Sequence, residues 1–113
     1  MSFFSSLFGS KAAKNNSIKQ LSPEEFRTQI EKNNLQLVDV RTPAEFKGGH
    51  INGAINIDFF SGKFKLKFDK LDKHKPVYMY CRSGGRSRQA SRKLHAMGFT
   101  EIYDLKGGIL KYH

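Results

Sequence analysis

Cys81 is the only cysteine among the 113 residues of the chain. The seven residues after it, Arg82-Ser83-Gly84-Gly85-Arg86-Ser87-Arg88, hold three arginines, two adjacent glycines and two serines. A thiol kept for packing sits among apolar neighbours, and an inert cysteine behind an apolar strand is the common fate of such a residue. Here the neighbours are cations, small side chains and freely turning backbone, and they weigh against inertness. "PVYMY", residues 76–80, reads as a compact apolar strand, and "SRQASRKLHAMG", residues 87–98, as an amphipathic helix. A strand, a glycine-rich loop and a helix make an anion cradle, because loop N–H groups and the helix N-terminus converge on one point. A thiol at the start of such a loop feels both the helix dipole and the arginines, and both favour the nucleophilic thiolate.

The loop spacing narrows the chemistry. Four residues separate Cys81 from Arg86. A phosphate-gripping loop of the cysteine phosphatases needs five, which would put an arginine at Ser87; Arg88 is one position too far. The shorter loop makes a smaller cup, better matched to a sulfur atom than to a tetrahedral oxyanion. Gly84 and Gly85 allow positive φ and keep side chains out of that cup. Arg82 and Arg86 are placed to reach the rim and meet an incoming anion, and Arg86 to brace the loop.

The elements that position this loop follow from pattern. Residues 18–21 form a short strand. Ser22, Pro23 and Glu25 give a capping box with proline at the first helical position, and Phe26 and Ile30 make the helix's apolar stripe. Residues 35–41 read as a strand with Leu35, Leu37 and Val40 apolar and Val38 on the opposite face, as in a strand covered on both sides. Thr42, Pro43 and Glu45 repeat the helix-start signal, with Glu45 serving its own helix terminus. Residues 54–57 form a short strand. In "FFSGKFKLKFDKLDKHK", alternation of Phe64, Leu66 and Phe68 with lysines suits a strand, while Phe60, Phe64, Phe68 and Leu71 fall at helical spacing; a helix is expected. The amphipathic helix after Cys81, expected to begin near Ser87, turns Ala90, Leu94 and Met97 inward and stops at Gly98. Residues 101–105 give a last strand, and "GGILKYH" a short final helix. Alternating strands and helices predict an α/β domain: a mainly parallel sheet of about five strands with helices on both faces. Ligands of such sheets sit beyond the carboxyl ends of the strands, where Cys81 falls.

Composition bounds the rest. The length suits one domain, residues 17–113, after a flexible tail of residues 1–16. Phe3, Phe4, Leu7 and Phe8 would share a face of a short helix in that tail; a frayed end is the preferred reading over a weak membrane or partner anchor. No run approaches a membrane span, and stable membrane association is not expected. Net charge is +10. Most lysines read as solvated surface, although Lys63, Lys65, Lys67 and Lys70 could guide an acidic protein partner. Nucleic-acid binding is not expected, since zinc spacings and aromatic ribonucleoprotein motifs are missing. A single cysteine gives no internal disulfide and suits a reducing compartment such as the cytoplasm. His50 reads as a backbone-bonded structural residue, and His74, His95 and His113 form no ligand set.

"YCRSGGRS", residues 80–87, resembles the active-site loop of the rhodaneses, the thiosulfate-type sulfurtransferases. "LVDVRTPAEFKGGHINGAINI", residues 37–57, resembles that family's upstream signature, and "LKGGILKY", residues 105–112, its closing segment. Asn52 stands where the family usually has proline and Tyr112 where tryptophan is common; both lie off the loop, so only local packing should change. The resemblance implies a three-layer rhodanese-like fold and ping-pong sulfur transfer through a persulfide on Cys81. A small anionic donor such as thiosulfate would supply the sulfur and a thiol or cyanide would accept it, with protein donors or acceptors as further partners. Cys81 is then the catalytic residue, and Arg82, Ser83, Gly84, Gly85, Arg86 and Ser87 form the substrate-binding loop. Asp39 and Arg41 support it from the strand end, Asp39 by accepting hydrogen bonds from loops and Arg41 by an ion pair. No metal or organic cofactor is implied, and a monomer is expected. The alternatives are a non-catalytic binding module on the same fold and, less in keeping with the loop length, a small cysteine phosphatase or arsenate reductase.

Overall fold

The computed structural model of the chain describes residues 17–32 and 35–112. The expectations for the first 16 residues lie outside this range.

Two helix starts are built identically. Ser22 Oγ accepts the Glu25 N–H (3.2 Å), and Glu25 Oε1 accepts the Ser22 N–H (2.9 Å), opening α1, Pro23–Ile30. Thr42 Oγ1 accepts the Glu45 N–H (3.3 Å), and Glu45 Oε1 accepts the Thr42 N–H (3.0 Å), opening α2, Pro43–Lys47. Each box satisfies two N–H groups that the helix itself leaves without partners.

The strands are β1, Ile18–Leu21; β2, Gln36–Asp39; β3, Ile55–Asn56; β4, Val77–Tyr80; and β5, Ile102–Leu105. They form one sheet in the order β1-β5-β4-β2-β3, and every pairing is parallel. The expected α/β fold is the one found. Parallel neighbours need crossovers, which put helices on the faces and bury both sides of the sheet. On one side Leu37, Tyr78, Tyr80 and Leu105 pack with Phe26 of α1. On the other, Val38, Met79 and Ile102 pack with Phe64 and Phe68 of α3, Phe64–Phe68, and with Ala90 and Leu94 of α4, Gly85–Ala96.

Several boundaries differ from those the pattern predicts. β2 is shorter because the Arg41 N–H turns back to Asp39 Oδ1 (2.8 Å) and takes the chain out of the ladder. Val40 packs on the same side as Val38, not opposite it as expected. The ambiguous phenylalanine segment is helical, with Phe64 and Phe68 buried, but Phe60 is 69% exposed and outside the stripe. α4 begins at Gly85, two residues before Ser87, because Gly84 at the N-cap adopts φ +112°. The final turn is a 3-10 helix, Ile109–Lys111.

Candidate active site: the Cys81 loop

Cys81 follows the last residue of β4, at the carboxyl edge of the sheet, and its side chain is 1% exposed. Along β4 the side chains alternate, so Tyr80 turns to the α1 side while Met79 and Cys81 turn toward α4. The sulfur therefore lies where the core meets the start of α4.

Two backbone amides are aimed at it. The Gly84 N–H donates to Cys81 Sγ at 3.0 Å, and the Ser87 N–H donates at 3.4 Å. Gly84 is the N-cap of α4 and has no side chain to cap with; Ser87 is the third helical residue, whose N–H a capping side chain would ordinarily take. Cys81 fills that role from across the loop. A serine or aspartate at position 84 would compete with the sulfur for this amide, and the left-handed φ there excludes most side chains besides. The Cys81 thiol in turn donates to Ser87 Oγ at 3.5 Å, and Ser87 Oγ–H donates to the Gly84 carbonyl at 3.3 Å.

The closing segment holds the loop from behind. The Ile109 N–H donates to Cys81 O (2.9 Å) and the Leu110 N–H to Arg82 O (3.2 Å). This close approach needs Gly108: a Cβ there would fall 2.3 Å from Arg82 O. Gly108 also has φ +69°. Backbone packed against backbone in this way fixes the direction of the amides that follow.

Arg82 and Ser83 are exposed at the rim. Arg86 is not free to swing: Nη1 donates to Glu45 Oε1 (2.7 Å) and Nη2 to Glu45 Oε2 (3.0 Å). The guanidinium stays within electrostatic reach of Cys81 and also stands over the exposed Phe60 ring, 5.9 Å from its centroid. Glu45 thus does more than close its own helix. Arg86 is the main reason its carboxyl is pulled from 4.5 down to about 2, with Thr42 helping and burial opposing.

Asp39 and Arg41, expected to support the loop from the strand end, pair with each other. Arg41 Nη2 is 2.7 Å from Asp39 Oδ2 and also donates to Gly49 O at 2.7 Å. The hydrogen bond to Asp39 raises the Arg41 pKa, against burial. Asn56 Nδ2, which the sequence did not single out, donates to both Asp39 O (3.0 Å) and Arg41 O (2.9 Å) and so clamps the strand end. Tyr80 was also missed as a site support; its hydroxyl accepts the Ile51 N–H (3.0 Å) and ties the 48–54 turn to β4. Its pKa is raised, chiefly by burial. Asn and Tyr at these positions carry no spacing signal, because their partners are backbone atoms remote in sequence. His50 bonds the Phe46 carbonyl through Nδ1 (2.8 Å) and stacks on its ring, as the structural reading expects. Asn52 and Tyr112 lie together with Arg27 and Ile51 in a surface groove, away from the loop. Among the described residues, no group of three or more His, Cys, Asp or Glu is arranged to hold a metal, and no helix is long and apolar enough to cross a membrane.

Comparison with known proteins converges on the same fold. A Rhodanese-like domain model matches residues 22–113. The Bacillus subtilis protein YqhL is 46% identical over 95 residues, covering 84% of this chain and 72% of that protein. A tRNA uridine(34) hydroxylase of Buchnera aphidicola is 35% identical over 102 residues, which are 87% of this chain but 33% of the enzyme. Among solved structures, a rhodanese-like domain protein from Staphylococcus aureus superposes with a TM-score of 0.74 at 26% identity, covering 84% of this chain and 91% of that one. The human single-domain sulfurtransferase TSTD1 shares the fold, with a TM-score of 0.68 at 23% identity over 81% of this chain and 92% of that one. A domain match that begins at the Ser22 cap and takes in both the Cys81 loop and the segment bracing it leaves one assignment: the chain belongs to the rhodanese-like domain family.

Proposed function

We propose that the chain is a sulfurtransferase that carries sulfane sulfur as a persulfide on Cys81. The observation that carries this reading is the convergence of the Gly84 and Ser87 N–H groups on Cys81 Sγ. Fixed amide dipoles in a water-poor site stabilise negative charge without having to reorganise.

In the first half-reaction, the Cys81 thiolate attacks the outer sulfur of thiosulfate. A Cys81 S–S bond forms, the donor's S–S bond breaks, and sulfite leaves with the bonding pair. In the second, cyanide or a thiolate attacks the terminal sulfur, the persulfide bond breaks, and thiocyanate or a new persulfide leaves while Cys81 returns as thiolate. The charge rests on sulfur between the two steps, so the same amides serve both. Arg82 at the rim and Arg86 within reach of the sulfur attract the dianionic donor. Protein persulfides or thiols are acceptable partners on the same chemistry, and a reducing compartment such as the cytoplasm supplies an acceptor thiol.

Hydroxylation is not carried over from the tRNA hydroxylases, because this chain spans about a third of their length. Intact-mass measurement after thiosulfate treatment tests the proposal. The expected result is a gain of one sulfur atom, removed by a reductant and missing in Cys81→Ser. An unchanged mass with thiosulfate and with an organic persulfide donor would overturn it.

A further inference from the structure

A large apolar side chain beside the Cys81 loop has no part in the steps above. Phe60 is 69% exposed. A lone exposed hydrophobe on a surface is ordinary. Phe60 differs because it is held, and held at the carboxyl edge of the sheet. The carbonyl of Tyr80, the residue before Cys81, accepts the Val40 N–H at 3.0 Å, and the Val40 carbonyl accepts the Phe59 N–H at 3.0 Å. Two backbone hydrogen bonds therefore lead from the end of β4 to the residue next to Phe60. Phe59 packs against the same core cluster that holds Val40 and Cys81. Asp58 pins the turn: its Oδ1 accepts the Phe60 N–H (2.9 Å) and its carbonyl accepts the Ser61 N–H (3.0 Å).

The ring has fixed neighbours as well. It meets Phe59 edge to face, with centroids 5.4 Å apart and planes at 72°. The Arg86 guanidinium stands 5.9 Å from the Phe60 centroid and is itself held by the two bonds to Glu45. Arg86 adjoins Ser87, whose N–H reaches Cys81 Sγ at 3.4 Å. Charge alone selects weakly at this rim, since Glu45 offsets Arg86 and Arg82 is exposed to screening salt. An exposed aromatic face adds what the charges do not. A flat apolar group gains by lying against it, and a small hydrophilic one does not.

We propose that Phe60 is a specificity-determining residue of the second half-reaction, selecting an organic thiol whose sulfur is borne on a flat aromatic body over a small aliphatic one. This rests on the sulfurtransferase reading and names the acceptor class for it. The acceptor's ring stacks on Phe60 while its thiolate sulfur bonds the terminal sulfur of the Cys81 persulfide. The persulfide S–S bond breaks, its bonding pair returns to Cys81 as thiolate, and an aryl persulfide leaves. Phe60 binds the body of the acceptor and takes no part in the bond changes.

The test compares two acceptors that each carry one carboxylate, thiosalicylate with a ring and thioglycolate without one. Persulfide-loaded protein is mixed with each, and loss of sulfur from Cys81 is followed by mass. Wild type, Phe60→Ala, Phe60→Tyr and Leu66→Ala are measured. The quantity read is the ratio of the two second-order rate constants; comparing that ratio between proteins removes the intrinsic reactivity of each thiol. Phe60→Ala should lower the ratio about fivefold, and Phe60→Tyr, which keeps the ring, should restore it. Leu66 is 58% exposed on α3, opposite the buried Phe64 and Phe68, and Leu66→Ala should leave the ratio unchanged. A second readout needs no persulfide: unloaded protein is treated with the disulfide of each thiol. The Cys81 thiolate attacks one sulfur, a thiolate leaves with the bonding pair, and the mixed disulfide appears in the mass. The rate ratio should fall in the same variant. Equal slowing of both probes in Phe60→Ala, or a ratio that stays at the wild-type value, sinks the proposal. A wild type that takes up no sulfur counts against the sulfurtransferase reading, and the exchange ratio still decides whether the ring selects.

Discussion

Arg86 and Glu45 meet fork to fork, with Nη1 on Oε1 at 2.7 Å and Nη2 on Oε2 at 3.0 Å. The pair joins the first turn of α4 to the first turn of α2. The same Oε1 accepts the Thr42 N–H and Oγ1–H, both at 3.0 Å, so one carboxylate closes its own helix and anchors its neighbour. Arg86 is next to Ser87, whose amide reaches the sulfur. Holding its guanidinium in place therefore steadies the cradle as well as fixing a cation beside it.

Lysine cannot reproduce a two-pronged guanidinium contact. Arg86→Lys keeps the charge and loses the fork. Steady-state kinetics with thiosulfate should show kcat/KM down by about tenfold, with KM and kcat both affected because the cation and the loop both shift. Arg82→Gln, at the exposed rim, should raise KM by about two- to threefold, and added salt should erase the difference. A salt-insensitive Arg82→Gln, or an Arg86→Lys indistinguishable from wild type, would separate these arginines from the site.

Acid should loosen the same contact. The Glu45 carboxyl is pulled from 4.5 down to about 2, first by Arg86, with burial opposing and Thr42 assisting. A carboxylate depressed on folding stabilises the protein above its unfolded value, and that contribution disappears as pH falls through the folded value. The window is therefore between about 4.5 and about 2. The pair is partly open to solvent, with side-chain exposures of 20% and 27%, so about 1 kcal/mol is a fair expectation. Urea unfolding of wild type and Glu45→Gln should differ by that amount near about pH 6 and converge near about pH 2. A difference that does not change with pH would place the effect of Glu45 elsewhere.

The contrast between what could be read in the chain and what could not follows the range of each interaction. The helix starts at Ser22 and Thr42 were legible because both partners of each box lie three residues apart. The loop was legible for the same reason: Cys81, Gly84 and Ser87 make their contacts within six residues. Arg86 with Glu45 spans 41 positions, and Tyr80 with Ile51 spans 29, so no local pattern announces either. The phenylalanine segment misled at one position: Phe60 fits the helical period, but α3 begins only at Phe64.

Gly108 should be among the least replaceable positions. An added Cβ would lie 2.3 Å from Arg82 O and 2.6 Å from Ser83 N, both backbone atoms with no freedom to yield, at φ +69°. Gly108→Ala should cost roughly 2 kcal/mol or more, since it combines overpacking with a strained backbone. It should also cut sulfur transfer disproportionately, because the displaced backbone is that of the loop itself. Gly62→Ala is the control: a Cβ there meets nothing within 4 Å. Thermal unfolding and single-turnover sulfur loading, measured together, check both parts; equal behaviour of the two variants would refute the close-packing account.

Asp39 and Arg41 offer a sharper test of how the strand end is held. Asp39 is fully buried and Arg41 is 6% exposed, and their contact is 2.7 Å. Removing one partner of a buried pair leaves the other charged and unpaired, which costs about 3–5 kcal/mol, whereas replacing both by apolar groups of similar volume is often close to neutral. Asp39→Leu alone should therefore unfold the protein far more easily than Asp39→Leu with Arg41→Met. The double variant still loses the Arg41 bond to Gly49 O, so its recovery should be incomplete. Urea midpoints rank the three proteins: wild type first, the double variant second, the single variant last. A double variant no better than the single one would mean that the Gly49 tether, and not charge pairing, is what Arg41 contributes.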